Sequence, residues 1–215
     1  MRARPFAGII YLMKPLYLIG KQISLGLVAA ALLGVGTAFA APAQVILIRH
    51  AEKPEAGPEL NEQGVRRAQA LVKFFKSEPA VRRYGAPAVI YAAAPKNEDS
   101  SLRSIQTVTP LARALGLRID DSFTRGQTNK LVREIMENPA YDGRMVLVCW
   151  QHVKLVDAAL ALAEYNNSPK AVHAAIPQVW PDEAFDRVWI LDFHKGKAVS
   201  FRNIPQRLLP GDSSR

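Results

Sequence analysis

Apolar residues in this sequence follow two alternating patterns. Four short, mostly apolar runs, at 45–48, 88–92, 145–149 and 188–193, have the length of buried strands. The stretches that follow the first three runs carry apolar residues at every third or fourth position, which predicts amphipathic helices. These helical positions are Val65, Ala68, Val72 and Phe75; Leu131 and Ile135; and Val153, Val156, Leu160 and Ala163.

Two further patterns complete the predicted fold. A helical pattern covers 102–115, where Pro110 is expected to kink the helix or split it in two. The strand-like segments 187–193 and 197–201 predict a hairpin, and the chain from Gln206 onward is expected to be irregular. Strands that alternate with helices predict an α/β fold, a three-layer αβα sandwich with a mostly parallel central sheet. The hairpin is then its C-terminal edge.

The first forty residues have the organisation of a secretory signal peptide. Basic residues at positions 2, 4, 14 and 21 precede an uncharged apolar run over 23–40, which ends in Ala38-Phe39-Ala40. We therefore expect residues 1–40 to be a cleaved leader, residues 41–215 to form one domain, and the mature protein to be periplasmic or secreted. The alternative is an uncleaved membrane anchor, because about eighteen apolar residues are at the lower limit for spanning a bilayer. Met13 is an alternative start of translation.

Charge and cysteine content narrow the possible classes of function. The chain has 28 basic and 19 acidic residues, a net charge of +9, and loss of the four basic residues of the leader lowers that charge to about +5. The basic residues are scattered, which speaks against nucleic-acid binding and suits a small anionic substrate. Cys149 is the only cysteine, so neither an intramolecular disulfide nor a site of several thiolates is expected.

Cationic and imidazole side chains follow three of the predicted strands. Arg49 and His50 come directly after the first strand, Arg103 lies beyond the second, and His152 lies beyond the third. Because the carboxyl ends of parallel strands meet at one edge of an open sheet, these side chains are expected to gather there. Guanidinium groups offer forked donors to phosphate oxygens, and a neutral imidazole can attack phosphorus. The residue types therefore predict a phosphoryl-transfer site.

Four short segments occur in a characteristic order. They are Arg49-His50-Ala51-Glu52; Leu60-Asn61-Glu62-Gln63-Gly64 with Ala68-Gln69-Ala70; Ser101-Leu102-Arg103 with Gln106-Thr107; and the strand ending at Cys149 with His152 beyond it. In order and spacing this series resembles the motifs of the histidine phosphatase superfamily, whose fold is phosphoglycerate mutase-like. The resemblance covers about residues 45–209, which is nearly the whole mature chain.

The resemblance implies a role for each matching residue. His50 would be the nucleophile that carries a phosphohistidine, Arg49, Arg103 and His152 would bind the transferring phosphoryl group, and water would release it without a cofactor or metal ion. Two positions depart from the motifs. Alanine stands at position 51 instead of glycine, which costs little unless the backbone there has a positive φ, and valine stands at 153, where glycine is frequent.

The proton donor for the leaving group is less clearly marked. The histidine–aspartate pair of the acid phosphatase branch is absent, and 123–130, which matches the acid-bearing stretch of the mutase-like branch, contains no carboxylate. Glu52 is the remaining nearby carboxylate. It is a candidate catalytic acid or, alternatively, a structural partner of Arg49 or Lys53.

Two residues are candidates for contacts to the rest of the substrate. Arg125, in the loop at 124–126, either binds a remaining anionic part or is a solvated loop residue. Trp150, beside His152, is a candidate for the pocket wall.

The leading hypothesis is an exported phosphatase, a phosphoric monoester hydrolase acting on a phosphorylated small molecule or on phosphohistidine. A phosphoglycerate mutase-type phosphotransferase and a non-catalytic phosphate-binding module of the same fold are the alternatives. The predicted partner is the phosphorylated substrate, with no nucleic acid and with membrane contact only through an uncleaved leader.

Signal peptidase is expected to cut after Ala40, because small residues at 38 and 40 follow the apolar run. The intact mass of protein recovered from the periplasm or medium should then correspond to a chain that begins at or near Ala41. Full-length protein in the membrane fraction would instead identify the segment as an anchor.

Overall fold

A computed structural model describes residues 41–97 and 100–213 of the chain. The predicted leader, residues 1–40, lies outside the described residues. Among the helices that are described, none is long and apolar enough to cross a bilayer.

The centre of the described domain is a six-stranded sheet with the order β3-β2-β4-β1-β5-β6. The strands are β1 (Gln44–Arg49), β2 (Pro87–Ala92), β3 (Ile119–Asp120), β4 (Met145–Trp150), β5 (Arg187–His194) and β6 (Lys197–Pro205). Strands β1 to β4 are parallel to one another, whereas β5 is antiparallel to β1 and to β6. The predicted mostly parallel sheet with a C-terminal edge hairpin is confirmed.

Helices cover both faces of the sheet because the strand side chains alternate in direction. The helices are α1 (Glu62–Ser77), α2 (Pro79–Arg82), α3 (Arg103–Leu115), α4 (Thr128–Glu137), α5 (His152–Glu164) and α6 (Lys170–Ala175). Val45 and Leu47 of β1 belong to the same core as α4, α5 and α6, while Ile46 and Ile48 belong to the core of α1, α2 and α3. The fold is therefore the predicted three-layer αβα sandwich.

The helix α3 is one continuous helix with Pro110 inside it, so of the two predicted effects of the proline the split is wrong. A proline removes one intrahelical hydrogen bond, a cost that tertiary packing can offset. Val108 and Leu111 on either side of the proline are completely buried, and α3 packs against α1. Packing of these two flanking residues explains why the helix does not split.

The chain after β6 is irregular as expected, but it is attached to the domain. The carboxylate of Asp212 accepts hydrogen bonds from the backbone N–H groups of Leu208 (2.8 Å) and Leu209 (3.1 Å). It also receives two bonds from the guanidinium of Arg67 on α1. The segment from Gln206 to Asp212 is therefore attached to α1 through Arg67.

Candidate active site

His50 lies immediately beyond β1, at the carboxyl edge of the parallel strands. Its backbone N–H donates to the carbonyl of Trp150 at 3.0 Å, which continues the pairing of β1 with β4 by one residue. Its ring Nδ1 lies 2.8 Å from the carbonyl oxygen of Ala51. A carbonyl can only accept, so Nδ1 carries the proton and Nε2 has the free lone pair. The backbone thus selects the tautomer of the ring.

The protonation state of His50 suits a nucleophile. Burial, together with the positive charges of Arg49 and Arg103, lowers the pKa of the imidazole to about 4, although the bond to Ala51 opposes the shift. Only 5% of the residue is exposed. At neutral pH the ring is therefore uncharged, with Nε2 available to attack.

The residue that replaces the glycine of the family motif adopts an ordinary backbone conformation. Ala51 is not among the residues with a positive φ, and its backbone N–H donates to the hydroxyl of Thr107 at 2.8 Å. That hydroxyl in turn donates to the carbonyl of Arg103 at 2.7 Å. Alanine at position 51 consequently introduces no backbone strain, and Thr107 couples the segment after β1 to the start of α3.

Arg49 is buried at the end of β1 and points toward the loop that precedes β5. Its Nη1 donates to the carbonyl oxygens of Pro181 (3.4 Å) and Asp182, and its guanidinium lies 3.8 Å above the ring of Phe185. Burial lowers the pKa of the side chain to about 10, which still leaves it charged at neutral pH. Its buried Nε has no hydrogen-bond partner among the described residues.

Arg103 is the first residue of α3, and a loop on the other side of the site fixes it. Its Nε donates to the carbonyl of Glu59 at 3.0 Å, and its Nη2 donates to the carbonyl of Gly57. Burial lowers the pKa of the guanidinium. Both partners are neutral carbonyl groups, so its positive charge is not cancelled by a bound carboxylate.

His152 opens α5, directly after the cap residue Gln151. Its Nε2 lies 2.8 Å from a carboxylate oxygen of Asp182, and its Nδ1 is buried without a partner among the described residues. Burial and the charge of Arg49 lower the pKa of this imidazole, while the carboxylate of Asp182 raises it. Since a carboxylate accepts at Nε2, an anion at Nδ1 would favour the doubly protonated ring.

Two cavities meet at these residues. The histidine cavity, of about 350 Å³, is lined by Arg49, His50, Lys53, Arg103, Arg125, Gln151, His152, Asp182, Glu183 and Phe185. The adjoining cavity, of about 310 Å³, is lined by His50, Ala93, Ala94, Lys96, Ser100, Ser101, Arg103, Ser104, Arg125 and Gln151. The structure therefore brings His50, Arg49, Arg103 and His152 together around one space. Their catalytic roles remain predictions.

Glu52 is not part of the lining of either cavity. Its carboxylate receives three hydrogen bonds of 2.7–3.1 Å from the guanidinium of Arg67, and both side chains are buried. The structural partner of Glu52 is therefore Arg67, and the alternative of a pair with Arg49 or Lys53 is wrong. A carboxylate held in this way is poorly placed to protonate a leaving group at His50.

Trp150 differs from its expected position, because it is completely buried and does not line the pocket. Its indole N–H donates to the carbonyl of Arg125 at 3.1 Å, so it supports the pocket from behind. Cys149 is also buried, and burial raises the pKa of its thiol. This is consistent with a packing role for the cysteine.

Sequence reasoning missed the loop that carries Asp182, Glu183 and Phe185. These residues lie in an irregular stretch with no motif, and only the fold brings them beside Arg49 and His152. Across the described residues, no cluster of three or more histidine, cysteine, aspartate or glutamate side chains is arranged to hold a metal ion.

The architecture is that of the phosphoglycerate mutase-like fold. The solved structures with a similar fold include the protein histidine phosphatase SixA complexed with tungstate, with 13% sequence identity and a TM-score of 0.50 over 76% of this chain and 97% of SixA. A putative α-ribazole-5′-P phosphatase from Escherichia coli K-12 gives 11% identity and a TM-score of 0.52 over 78% and 98% of the two chains. Phosphoglycerate mutase from Bacillus anthracis gives 12% sequence identity and a TM-score of 0.51 over 76% of this chain and 93% of the mutase.

These similarities establish the fold. No protein-family model matches the sequence, and no curated protein matches it significantly.

The tautomer and pKa of His50 are open to direct measurement. In ¹⁵N-labelled protein without ligand, we expect ring nitrogen shifts of an Nδ1-protonated neutral imidazole, and a protonation midpoint near pH 4 rather than near the ordinary value of about 6.5. Burial is the main cause of this shift. The signals of His50 are assigned as those that are missing from the spectrum of the His50→Asn protein.

A midpoint near the ordinary histidine value, or a proton on Nε2, would contradict this assignment. The same shift affects stability. Between about pH 6.5 and 4 the unfolded chain binds this proton and the folded chain does not, so the free energy of unfolding falls as the pH falls. This part of the pH dependence should disappear in His50→Asn.

Proposed function

We propose that this protein is a phosphatase of the histidine phosphatase superfamily, which hydrolyses a phosphorylated small molecule or a phosphohistidine through a phosphohistidine on His50. The observation that carries the proposal is the state of the His50 ring. The ring is buried and neutral, and its Nδ1–H is bound to the carbonyl of Ala51. Nε2 is the nitrogen left for attack, and His50 lines a cavity together with Arg49, Arg103 and His152.

The chemistry has two displacement steps at phosphorus. Nε2 of His50 forms a bond to phosphorus while the bond from phosphorus to the leaving group breaks, and the leaving atom keeps the electron pair and gains a proton. Water then attacks phosphorus and gives a proton to the group that protonated the leaving atom, while the bond to Nε2 breaks and its electron pair returns to the ring. Inorganic phosphate is released with no net change to the enzyme.

The surrounding cations stabilise the charge on the phosphoryl oxygens. Arg49 and Arg103 are held by backbone carbonyls of two different loops, so little reorganisation is needed when an anion enters. His152 adds a third donor at its unpartnered Nδ1. In this scheme Asp182 is a positioning residue, because its bond to Nε2 orients the ring and favours the cationic form.

Protonation of the leaving group requires a different source from Glu52. The carboxylates that line the histidine cavity, within the described residues, belong to Asp182 and Glu183. Asp182 is bound to His152, which leaves Glu183 as the better candidate for this proton. A phosphohistidine or an aryl phosphate would need such a donor less than an alkyl phosphate would.

Two further considerations support this proposal. The structural neighbours include proteins described as a protein histidine phosphatase and as a putative α-ribazole-5′-P phosphatase. The signal-peptide pattern of residues 1–40 supports action in the periplasm or outside the cell, where the substrate would be a phosphorylated compound of that compartment. Export makes a mutase that serves cytoplasmic phosphoglycerate less suitable.

The phosphohistidine itself is the direct test. Rapid quench with a ³²P-labelled aryl phosphate is expected to trap an acid-labile, base-stable label on the wild-type protein and none on His50→Ala. His194→Ala, which removes an exposed histidine outside both cavities, should keep the label.

Phosphate binding without label or turnover would instead identify a non-catalytic phosphate-binding module. Interconversion of phosphoglycerates faster than release of inorganic phosphate would identify a mutase.

Arg103→Ala is expected to lower kcat/KM by roughly a hundredfold to a thousandfold, because it removes a positioned donor to the phosphoryl oxygens. Glu52→Gln should lower the unfolding temperature but leave the rate similar, since Glu52 binds Arg67 outside the cavity. Both variants are to be assayed with an aryl phosphate and an alkyl phosphate. If Arg103→Ala turns over at a near-wild-type rate, the proposed site is wrong. If Glu52→Gln loses rate only on the alkyl phosphate, Glu52 is the catalytic acid.

A further inference from the structure

The adjoining cavity contains two cations that the proposed reaction does not use. Lys96 and Arg125 line it together with His50 and Arg103. It shares His50, Arg103, Arg125 and Gln151 with the histidine cavity. The two cavities therefore adjoin at four shared residues, and a molecule bound at His50 can extend toward Lys96.

The backbone brings the segments of Lys96 and Arg125 side by side. Ala94, just after β2, forms an isolated parallel bridge with Thr124, and its N–H donates to the carbonyl of Phe123 at 2.9 Å. The carbonyl of Arg125 is held by the indole N–H of Trp150 at 3.1 Å. Since Trp150 is completely buried, this wall of the adjoining cavity is anchored to the core.

The described lining of the adjoining cavity carries a net positive charge. Its lining, in the described part of the chain, contains the cationic side chains of Lys96, Arg103 and Arg125 and no carboxylate. Neither Lys96 nor Arg125 forms an ion pair with a described carboxylate. In contrast, the carboxylates of Asp182 and Glu183 belong to the lining of the histidine cavity and not to that of the adjoining cavity. The charge distribution therefore favours a second anion on the side of Lys96.

We propose that the substrate carries two anionic groups, a phosphoryl group that meets His50 and a second phosphate or carboxylate that Lys96 and Arg125 bind in the adjoining cavity. The proposal rests on the proposed function for the identity of the first group. It narrows the substrate class from phosphorylated compounds in general to compounds with a second anion on the same small molecule.

Calorimetric binding of non-hydrolysable phosphonates tests this without turnover. Alkylphosphonates are compared with alkane-α,ω-bisphosphonates and with ω-carboxyalkylphosphonates of two to six carbons, in the presence of a chelator. At its best chain length the wild-type protein is expected to bind a dianionic-ended ligand roughly tenfold more tightly than the alkylphosphonate of that length, the gain expected from two exposed cations. The two series distinguish phosphate from carboxylate as the second group.

The variants separate a binding site from a general effect of charge. Lys96→Ala with Arg125→Ala should abolish the preference, whereas Lys96→Arg with Arg125→Lys should retain it. Lys73→Ala with Lys76→Ala removes the same charge from α1, outside both cavities, and should also retain it. Circular dichroism confirms that each variant is folded.

Three results would overturn the proposal. They are equal affinities throughout the series, a preference that survives in the Lys96→Ala, Arg125→Ala protein, and a preference lost equally in the Lys73→Ala, Lys76→Ala protein. The proposed function is tested separately, because the label on His50 is read with an aryl phosphate that has no second anion. Loss of that label with tight bisphosphonate binding would reject catalysis and keep the second-anion site.

Discussion

The hydrogen bond from Nδ1–H of His50 to the carbonyl of Ala51 is the interaction on which the site depends. It forms between adjacent residues, so it requires one particular backbone conformation just after β1. The surrounding structure holds that conformation at three points. The N–H of His50 pairs with β4, the N–H of Ala51 binds Thr107 of α3, and the carbonyl of Glu52 receives the N–H of Asn61 at 3.1 Å. The tautomer of the ring is thus determined by contacts to three different elements.

The same segment explains why α1 begins where it does. Asn61 caps the helix by accepting the N–H of Gly64 at 2.8 Å, and a side-chain carbon on Gly64 would lie 2.4 Å from the carbonyl oxygen of Glu52. Only glycine permits this approach of the helix to the backbone that follows His50. One turn further, Arg67 reaches back to Glu52 and outward to Asp212. The motif around Gly64 is therefore a support for His50, although its residues are outside the two cavities.

The hydrophobic pattern predicted most of the fold, because five strands and four helices of the described chain have strand-like apolar segments or a helical period. It did not predict β3, since the two residues of Ile119–Asp120 are too few to form a pattern. The positions of His50, Arg49, Arg103 and His152 at one edge followed from strand order alone. The positions of Asp182 and Phe185 could not be predicted in this way, because they reach the site through the irregular chain before β5. The pairing of Glu52 with Arg67 could not be predicted from strand order either. Contacts between irregular segments depend on the finished fold.

The partners of Arg49, Arg67 and Arg103 show how this edge of the sheet keeps its positive charge. Arg67 is fixed by two carboxylates, so its charge is neutralised within the domain and it acts as a structural link. Arg49 and Arg103 are each oriented by two backbone carbonyls, which fix the guanidinium without cancelling its charge. The carbonyl groups orient each guanidinium but carry no net charge, so the positive charge of the arginine can still attract an anion. This difference in partners separates the arginines that hold the fold together from those that can bind a phosphoryl group.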